Sequence, residues 1–423
     1  SDSPTPITAT SPAPESTTIK PVATPTPTST VSDQIKELRQ SISELQKMEQ
    51  NSGVIQEIEA IQRNIAKLEG PLTNIGPVAK IRAFDRQVCV ITTDNSLFCW
   101  GQNYWKQLAD GTTVDRNTPV QALDLTVLEV SLGNSHSCAV KADRSVVCWG
   151  QNTYGQLGNG ELTVRGLPIF PPVQVSGLGQ GTAVSVVTGV ASSCALKTDG
   201  SVVCWGDNSV GQLGDDTLEQ KLIPVQVSGL GPGTTAAIFG SDRGTCVLKK
   251  TDGSVVCWGI TNLSSNTALV PIKISSLIAG TIRSLVLRSK QFCVLKTDGS
   301  VACGGATPTQ ILGLTKGTTA AIAVGHRHAC ALQTNGSVVC WGDNVGDGTR
   351  NNRKAPVQVS DLGPGTTVAI SAGDGGHTCA LKTSGSVVCW GGGPLGQLDN
   401  NDPGIAPWIS HALKPIPVYG LNP

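Results

Sequence analysis

The stretch Cys194-Ala-Leu-Lys-Thr-Asp-Gly-Ser-Val-Val-Cys204-Trp-Gly decides how the rest of the chain is read. The same phrase recurs around Cys89 and Cys99, Cys138 and Cys148, Cys246 and Cys257, Cys293 and Cys303, Cys330 and Cys340, and Cys379 and Cys389. Together these pairs use all 14 cysteines. Six share one spacing, and the fourth carries an extra residue, Lys250. So regular a repeat sets the architecture before any local motif does.

The phrase reads as a β-hairpin. Asp199-Gly200 is a strong turn signal, and the flanking residues alternate and favour strands. If Thr198, Asp199 and Gly200 form the loop, Lys197 pairs with Ser201, Leu196 with Val202, and Cys194 falls opposite Cys204. Opposed residues on antiparallel strands have Cα atoms roughly 4.5–5.5 Å apart. A disulfide accepts roughly 4.4–6.8 Å, so each pair reads as a cross-strand staple within one hairpin. Zinc is the competing reading, but it prefers ligands two to four residues apart.

The 423 residues can bury a large core or several domains. The formal net charge is zero, which argues against a nucleic-acid binder with its basic stripe. No apolar run is long enough to span a bilayer. The sequence begins at Ser1 and its only methionine is Met48, which points to a processed or trimmed chain. Cysteines in even, regular pairs fit an oxidising compartment, so export with a removed signal peptide is expected. An intracellular protein of a hyperthermophile is the alternative.

Three segments follow in order. Residues 1–31 are a Pro/Thr/Ser-rich tail with little to bury, either a stalk or an arm that orders by docking on a neighbouring molecule. Residues 32–70 read as two amphipathic helices. Ser32 is the N-cap, Ile35, Leu38, Ile42 and Leu45 make one seam, and Val54, Ile58, Ile61, Ile65 and Leu68 make another before Gly70-Pro71 ends it. A helical hairpin and an oligomerising coiled coil both satisfy this pattern, since each helix alone is too short to be stable. Residues 71–423 hold the repeats.

Each repeat opens with an apolar strand, such as Val78–Phe84, Ala183–Thr188, 320–324 or 368–372. The Cys hairpin comes next, then a Gly/Asn-rich loop such as 206–214. A strand containing Pro-Val-Gln-Val or a variant closes it, marked by Pro119, Pro172, Pro224, Pro271, Pro308, Pro356 and Pro415 or Pro417. Four strands per repeat and seven repeats predict an all-β, seven-bladed β-propeller of four-stranded blades. The closing proline suits an edge strand, where a missing N–H is tolerated.

The hairpin phrase, Gly-Gln-Leu-Gly at Gly211–Gly214 and Pro-Val-Gln-Val-Ser-Gly-Leu at Pro224–Leu230 together resemble the repeats of the regulator of chromosome condensation family. The resemblance covers residues 75–423 and implies a seven-bladed propeller closed by pairing strands from the two ends of the domain. Eukaryotic members act as nucleotide exchange factors for a nuclear GTPase and dock on chromatin, partners out of reach of an exported chain. The paired cysteines are similar to those of exported bacterial members, which look like secreted binding modules, one type of which inhibits β-lactamases.

Function is expected where the repetition fails. The fourth repeat replaces its loop with 260–266, the fifth loses the tryptophan at Gly304-Gly305, the sixth has the shortened loop 344–348, and the last carries the insertion 399–416. Consecutive lost loops would leave a notch, unless they are drift in a tolerant repeat. His136, His328 and His377 stand at one repeat position, which suits strand-start hydrogen bonders better than metal ligands. No calcium loop with a terminal glutamate occurs, the Asp-Gly pairs are turn chemistry, and no catalytic motif stands outside the repeat.

The reading is therefore a non-catalytic exported scaffold without cofactor, metal or catalytic residues, at the cell surface or beyond it. Its propeller presents loop faces to a protein partner, and the tail and helices anchor it or join copies of the chain, as in a surface appendage or filament subunit. A soluble module of enzyme-inhibitor type and a carbohydrate-binding propeller are the alternatives. The repeat tryptophans Trp100, Trp149, Trp205, Trp258, Trp341 and Trp390 are expected to pack between blades. The non-repeat aromatics Tyr104, Trp105, Tyr154 and Trp408 are the candidate partner contacts.

Overall fold

The computed structural model describes residues 75–421 apart from 164–168, 262, 264–266, 289–290, 305–306, 393–411 and 419. It also describes helical positions at 36–38, 40–41, 44–45 and 61. The tail 1–31, the rest of the expected helices, the body of the last insertion and Trp408 lie outside the described residues. The chain divides into two parts, Ser1–Gly70 and Pro71–Pro423. Within the first, Gln40 Nε2 donates to Glu44 Oε1 at 3.2 Å, one helical turn on.

In the second part every Cys phrase is a hairpin with the expected register. Leu196 faces Val202 and Cys194 faces Cys204. The Lys197 amide donates to the Ser201 carbonyl and the Gly200 amide to the Lys197 carbonyl, both at 2.9 Å. Gly200 takes φ +83°, which glycine adopts without a Cβ penalty. Asp199 Oδ1 accepts the Ser201 amide at 2.8 Å and its hydroxyl at 2.6 Å, so this carboxylate is a turn clasp.

Counting outward from the hydrogen-bonded Lys197–Ser201 pair, the cysteines occupy a non-hydrogen-bonded site, the closer of the two pair types. Their Cα atoms are 4.0 Å apart, nearer than expected, and the disulfide is closed. All seven pairs are closed at Cα separations of 4.0 or 4.1 Å, which leaves no thiolate for zinc. In the fourth repeat Cys246 still faces Cys257. There the Lys249 amide donates to the Ser254 carbonyl, so the turn absorbs the extra Lys250.

The domain is all-β, built of repeated four-stranded antiparallel sheets as in a β-propeller. β1 (Val78–Phe84), β2 (Gln87–Thr92), β3 (Ser96–Gly101), β4 (Arg116–Leu132), β5 (His136–Lys141), β6 (Val146–Gly150) and β7 (Ile169–Gln174) follow one another in one sheet. β4 serves two repeats, pairing with β3 through its first part and with β5 through its second. Five further sheets each hold four consecutive strands. The proline-bearing strands Lys221–Gln226, Ala268–Lys273, Arg353–Gln358 and Ala412–Pro417 all lie at sheet edges.

The closing motif has a mechanical role. Gln226 Nε2 donates to the carbonyls of Val202, Val227 and Leu230, tying the edge strand to the turn that leads into the next repeat. Gln174 and Gln358 repeat this arrangement.

Apolar side chains from neighbouring repeats form the cores, so no repeat buries its faces alone. Cys138, Val140 and Leu157 of the second repeat pack with Val186, Ala195 and Trp205 of the third. The first and last repeats meet in the same way, through Val78, Ile81 and Trp100 against Leu381, Val387 and the Cys379–Cys389 staple. Among the described residues no strand of one end of the domain pairs into a sheet of the other. This corrects the strand-exchange closure expected from the resemblance. Each repeat carries all four of its strands in sequence, and the ends meet through face-to-face packing and a backbone bond from the Ile75 amide to the Gly420 carbonyl at 3.3 Å.

Candidate interaction face

Because the strands are antiparallel, the turn after the first strand and the loop after the third emerge on the same face of each repeat. In the first three repeats the described parts of these loops are 102–115, 151–163 and 207–220, and each is built around a buried asparagine. Asn208 Oδ1 accepts the Leu213 amide at 3.0 Å, while Nδ2 donates to Asp215 Oδ1 and the Thr217 carbonyl, both at 3.0 Å. Asn103 and Asn152 hold the Leu108 and Leu157 amides in the same manner. Gln107, Gln156 and Gln212 then accept the amides of Trp105, Tyr154 and Val210 at 2.8, 2.8 and 2.9 Å. The asparagine bonds brace all three loops; Gln212 Nε2 also donates to Asp207 at 2.7 Å, whereas Gln107 and Gln156 Nε2 have no partner among the described residues.

That frame leaves apolar side chains in solvent. Tyr104 is 64% exposed and Tyr154 44% exposed, and Leu162 and Leu218 of the second and third loops are exposed too. Trp105 is half-buried and meets Tyr104 edge to face at 5.0 Å between ring centroids. Three of the four candidate contacts therefore share one face, Tyr104 and Trp105 in the first loop and Tyr154 in the second. Leu162 and Leu218 carried no signal as single aliphatic residues in loops. The asparagine three residues after Trp100, Trp149 and Trp205 was a readable mark of the frame.

The tryptophans link the loops to the next repeat. Trp149 Nε1 donates to the Gln107 carbonyl at 2.8 Å, and Trp205 and Trp258 donate to Gln156 and Gln212 at 2.9 Å. Gly158 and Gly214 lie flat against these indoles, where a Cβ would come within 2.7 Å. The partnership explains how the motifs disappear together. The fourth loop, 261–267, lacks the glutamine, and the fifth repeat has Gly304 where the tryptophan would need it. The fifth connection, 305–308, is shorter still, and Trp341 of the sixth repeat is left half-buried. The sixth loop retains Gly346 under Trp390 but no glutamine, and Trp390 Nε1 has no partner among the described residues.

At the centre, the opening strands line a cavity of ≈ 180 Å³ bounded by Arg82, Glu129, Ser131, Thr188, Arg288 and Ser371, among others. Arg288 donates to the carbonyls of Val324 and Ala372, both at 3.1 Å, and lies 4.9 Å over the Phe84 ring. It also approaches Asp374 at 3.6 Å. Burial pushes the Asp374 carboxyl up to about 6, with Arg288 opposing and Asp242 and Asp85 adding to the rise. Burial likewise raises Glu129, against the pull of Arg82. Arg288 thus spends its donors in holding the fifth, sixth, seventh and first repeats together. The sequence offered no sign of this, because the participants come from four different repeats and meet only in the fold.

His136, His328 and His377 each begin a strand, as expected. His136 Nε2 shares a hydrogen bond with Ser193 Oγ at 2.8 Å, and His328 Nε2 with Thr378 Oγ1 at 2.7 Å, in each case across to the next repeat. All three rings are buried, which lowers their pKa values to about 3 for His136 and about 4 for His328 and His377. A neutral imidazole sealed from solvent can orient a hydroxyl but cannot present it to a substrate. Among the described residues no group of three or more His, Cys, Asp or Glu is arranged to hold a metal ion, and no helix is long and apolar enough to cross a membrane.

Comparison with known proteins agrees with this architecture. Two family models, both described as the regulator of chromosome condensation (RCC1) repeat, match the chain. One covers residues 94–140, 145–196 and 199–248. The other covers 127–156, 183–212, 320–348 and 368–397. Human WBSCR16 is similar in structure, with a TM-score of 0.60, 21% identity and 70% of this chain and 85% of that chain covered. Prp20p of Saccharomyces cerevisiae, a protein characterised for binding to Gsp1p and histones, gives a TM-score of 0.59 at 18% identity. That match covers 70% of this chain and 80% of that one. At such identities the likeness concerns the fold alone.

Proposed function

The chain belongs to the regulator of chromosome condensation (RCC1) repeat family, and from that premise we propose that it is a non-catalytic protein-interaction module that works outside the cell. Its seven repeats are read as seven blades of one ring, and its loop face as the surface that meets a protein partner.

The observation that carries this reading is the arc of framed loops in the first three repeats, which holds Tyr104, Tyr154 and Leu218 in solvent. Exposed aromatics on a rigid frame lose little conformational freedom on binding. Seven intrachain disulfides are typical of extracellular proteins and support export, as in the bacterial branch of the family, to the cell surface or beyond. Residues 1–70 are read as the anchor or self-association element, which would make the chain a subunit of a surface appendage or filament. Catalysis is set aside because the hydroxyl–imidazole pairs are buried.

The test is a photo-crosslinking residue placed at Tyr154 in the producing cells, with Lys382, beside the last hairpin turn on the opposite face, as control. Protein adducts at position 154 and few at 382 are expected. Equal labelling, or none at 154, contradicts the reading. The Tyr104–Trp105 pair favours a carbohydrate-binding alternative; glycan-array binding that disappears in Trp105→Ala would replace the protein partner with a sugar.

A further inference from the structure

We propose that the hairpin-tip end of the fourth and fifth repeats docks on an anionic phospholipid bilayer, a function independent of the loop face at the opposite end. The two most exposed large apolar side chains among the described residues are both there, Leu312 at 83% and Ile278 at 71%. Both break the repeat. Leu312 stands where other connections have Ser176, Ser228, Ser275 and Ser360, and Ile278 where they have Gly179, Gly231 and Gly363. Neither side chain packs inside the domain, so the core does not account for them.

Backbone bonds tie these segments into one platform. The Gly280 amide donates to the Gly253 carbonyl at 2.9 Å, joining the connection 275–281 to the fourth hairpin tip. The Thr297 amide donates to the Thr281 carbonyl at 2.8 Å, and the Gly317 amide to the Asp298 carbonyl at 2.7 Å. The order along this edge is therefore the fourth tip, the Ile278 connection, the fifth tip and the Leu312 connection. The Ile278 carbonyl also accepts the Thr281 hydroxyl at 2.7 Å, which fixes the backbone from which that side chain projects.

Positive charge surrounds the two aliphatic tips. Lys249, Lys250, Lys273, Arg283, Lys296 and Lys316 lie at this end of the two repeats, against only Asp252 and Asp298. Both carboxylates are committed to their turns. Asp252 Oδ1 accepts the Ser254 amide at 3.0 Å and hydroxyl at 2.6 Å, and Asp298 Oδ1 accepts those of Ser300 at 2.9 and 2.7 Å. Asp252 also lies 3.7 Å from Lys273. Lys250, Arg283 and Lys316 are exposed and make no salt bridge among the described residues. In the second and third hairpins the lysines pair instead with the clasp carboxylates, Lys141 with Asp143 at 3.7 Å and Lys197 with Asp199 at 3.2 Å. The sixth tip carries Asn335 and no lysine.

A bilayer suits this combination. Long cationic side chains reach headgroup phosphates while their methylene stems and the aliphatic tips enter the acyl boundary. Attraction to an anionic leaflet and burial of apolar surface then add. A protein partner would need a surface matched to fixed groups, and no hydrogen bond fixes Lys250, Arg283 or Lys316 for one.

Co-sedimentation of the full-length, disulfide-bonded protein with lipid vesicles tests this. Vesicles of phosphatidylglycerol and phosphatidylcholine should bind it, those of phosphatidylcholine alone should not, and salt should weaken the binding. Lys250→Glu with Lys316→Glu should weaken it by about tenfold or more, and so should Ile278→Thr with Leu312→Ser. The second pair installs residues found at these places in other repeats, as at Thr315 and Ser228, and all four positions are exposed, so melting temperatures should not change. Arg144→Glu, exposed at the second tip of the same end, should leave binding nearly unaltered. No binding to the anionic vesicles, an equal loss in Arg144→Glu, or binding insensitive to either double variant overturns the proposal. A photo-crosslinking residue at position 312 in the producing cells should capture lipid, and capture of protein alone overturns it too. None of these failures touches the loop-face reading, which the crosslinker at position 154 tests at the other end.

Discussion

The Ala83 amide donates to the Ser371 hydroxyl at 2.8 Å, joining the first strand of the domain to the opening strand of its last repeat. The Thr188 amide makes the matching bond to Ser131 at 3.0 Å, between the second and third repeats. The junction that closes the ring therefore uses the same contact as an internal junction, although its partners lie 288 residues apart. Closure is one more repeat-to-repeat contact.

Ser371→Ala should consequently cost about 1–2 kcal/mol for a backbone donor left without its acceptor, and Ser131→Ala at least as much, since Ser131 Oγ also shares a hydrogen bond with Thr188 Oγ1 at 2.9 Å. Urea unfolding of the two variants checks this. A loss in Ser131→Ala with none in Ser371→Ala would mean that the ends do not meet in solution.

The staples sit on hairpins that are already in register. Each closes a short loop and should add about 2–3 kcal/mol in the chain-entropy model. Non-reducing mass spectrometry should find no alkylated thiol in the folded protein. Reduction should lower the melting temperature steeply while far-ultraviolet circular dichroism at room temperature keeps its β signature. Several cysteines alkylated without unfolding would refute the pairing.

The tryptophans should separate by their partners. Trp205→Phe removes a bond to the Gln156 carbonyl, whereas Trp390 Nε1 has no acceptor among the described residues. Both lose similar packing, so Trp205→Phe should be the more destabilising by about 1 kcal/mol. Equal losses in thermal denaturation would count against the loop-to-tryptophan link.

Much of this was legible in the sequence. The Asp199-Gly200 turn and the even parity of the Cys194–Cys204 pair specify the hairpin, and Pro172, Pro224, Pro271, Pro356 and Pro415 lie on edge strands as expected, whereas Pro119 falls in β4 and Pro308 outside any strand. Such features are local and repeated seven times, so each copy corroborates the others. The mode of closure, the Arg288 contacts and the exposure of Leu162 and Leu218 were not legible. They join residues from different repeats, or depend on exposure, which follows only from the folded arrangement. Tyr104, Trp105 and Tyr154 stood out because aromatics are scarce in this chain; Lys250 and Lys316 did not, because lysine at a surface is ordinary.

Acid should act through the buried histidines. The unfolded chain takes up protons near the ordinary histidine value of 6.5, while the folded one holds His136, His328 and His377 neutral down to about 3 to 4. Between those limits the unfolded state binds more protons, so stability falls as pH drops from about 6.5 toward 4. Asp374 acts in the opposite sense, costing stability as pH rises from its model-peptide value through about 6. Burial also raises Asp85 and Glu129, which act with Asp374 but less strongly; the three histidine shifts outweigh these carboxyls, and the melting temperature should drop between pH 7 and pH 4.5. His136→Gln should flatten that slope. A slope unchanged by the substitution would place the sensitivity elsewhere.

The most direct test of the central claim, that this molecule meets other protein through its loop face, is hydrogen exchange on the full-length chain alone and mixed with the protein that crosslinks at position 154. Amides within 102–115, 151–163 and 207–220 should slow on binding, while those at the hairpin tips, such as 198–200, should not change. Protection confined to residues 1–70 or to the hairpin tips would contradict the account.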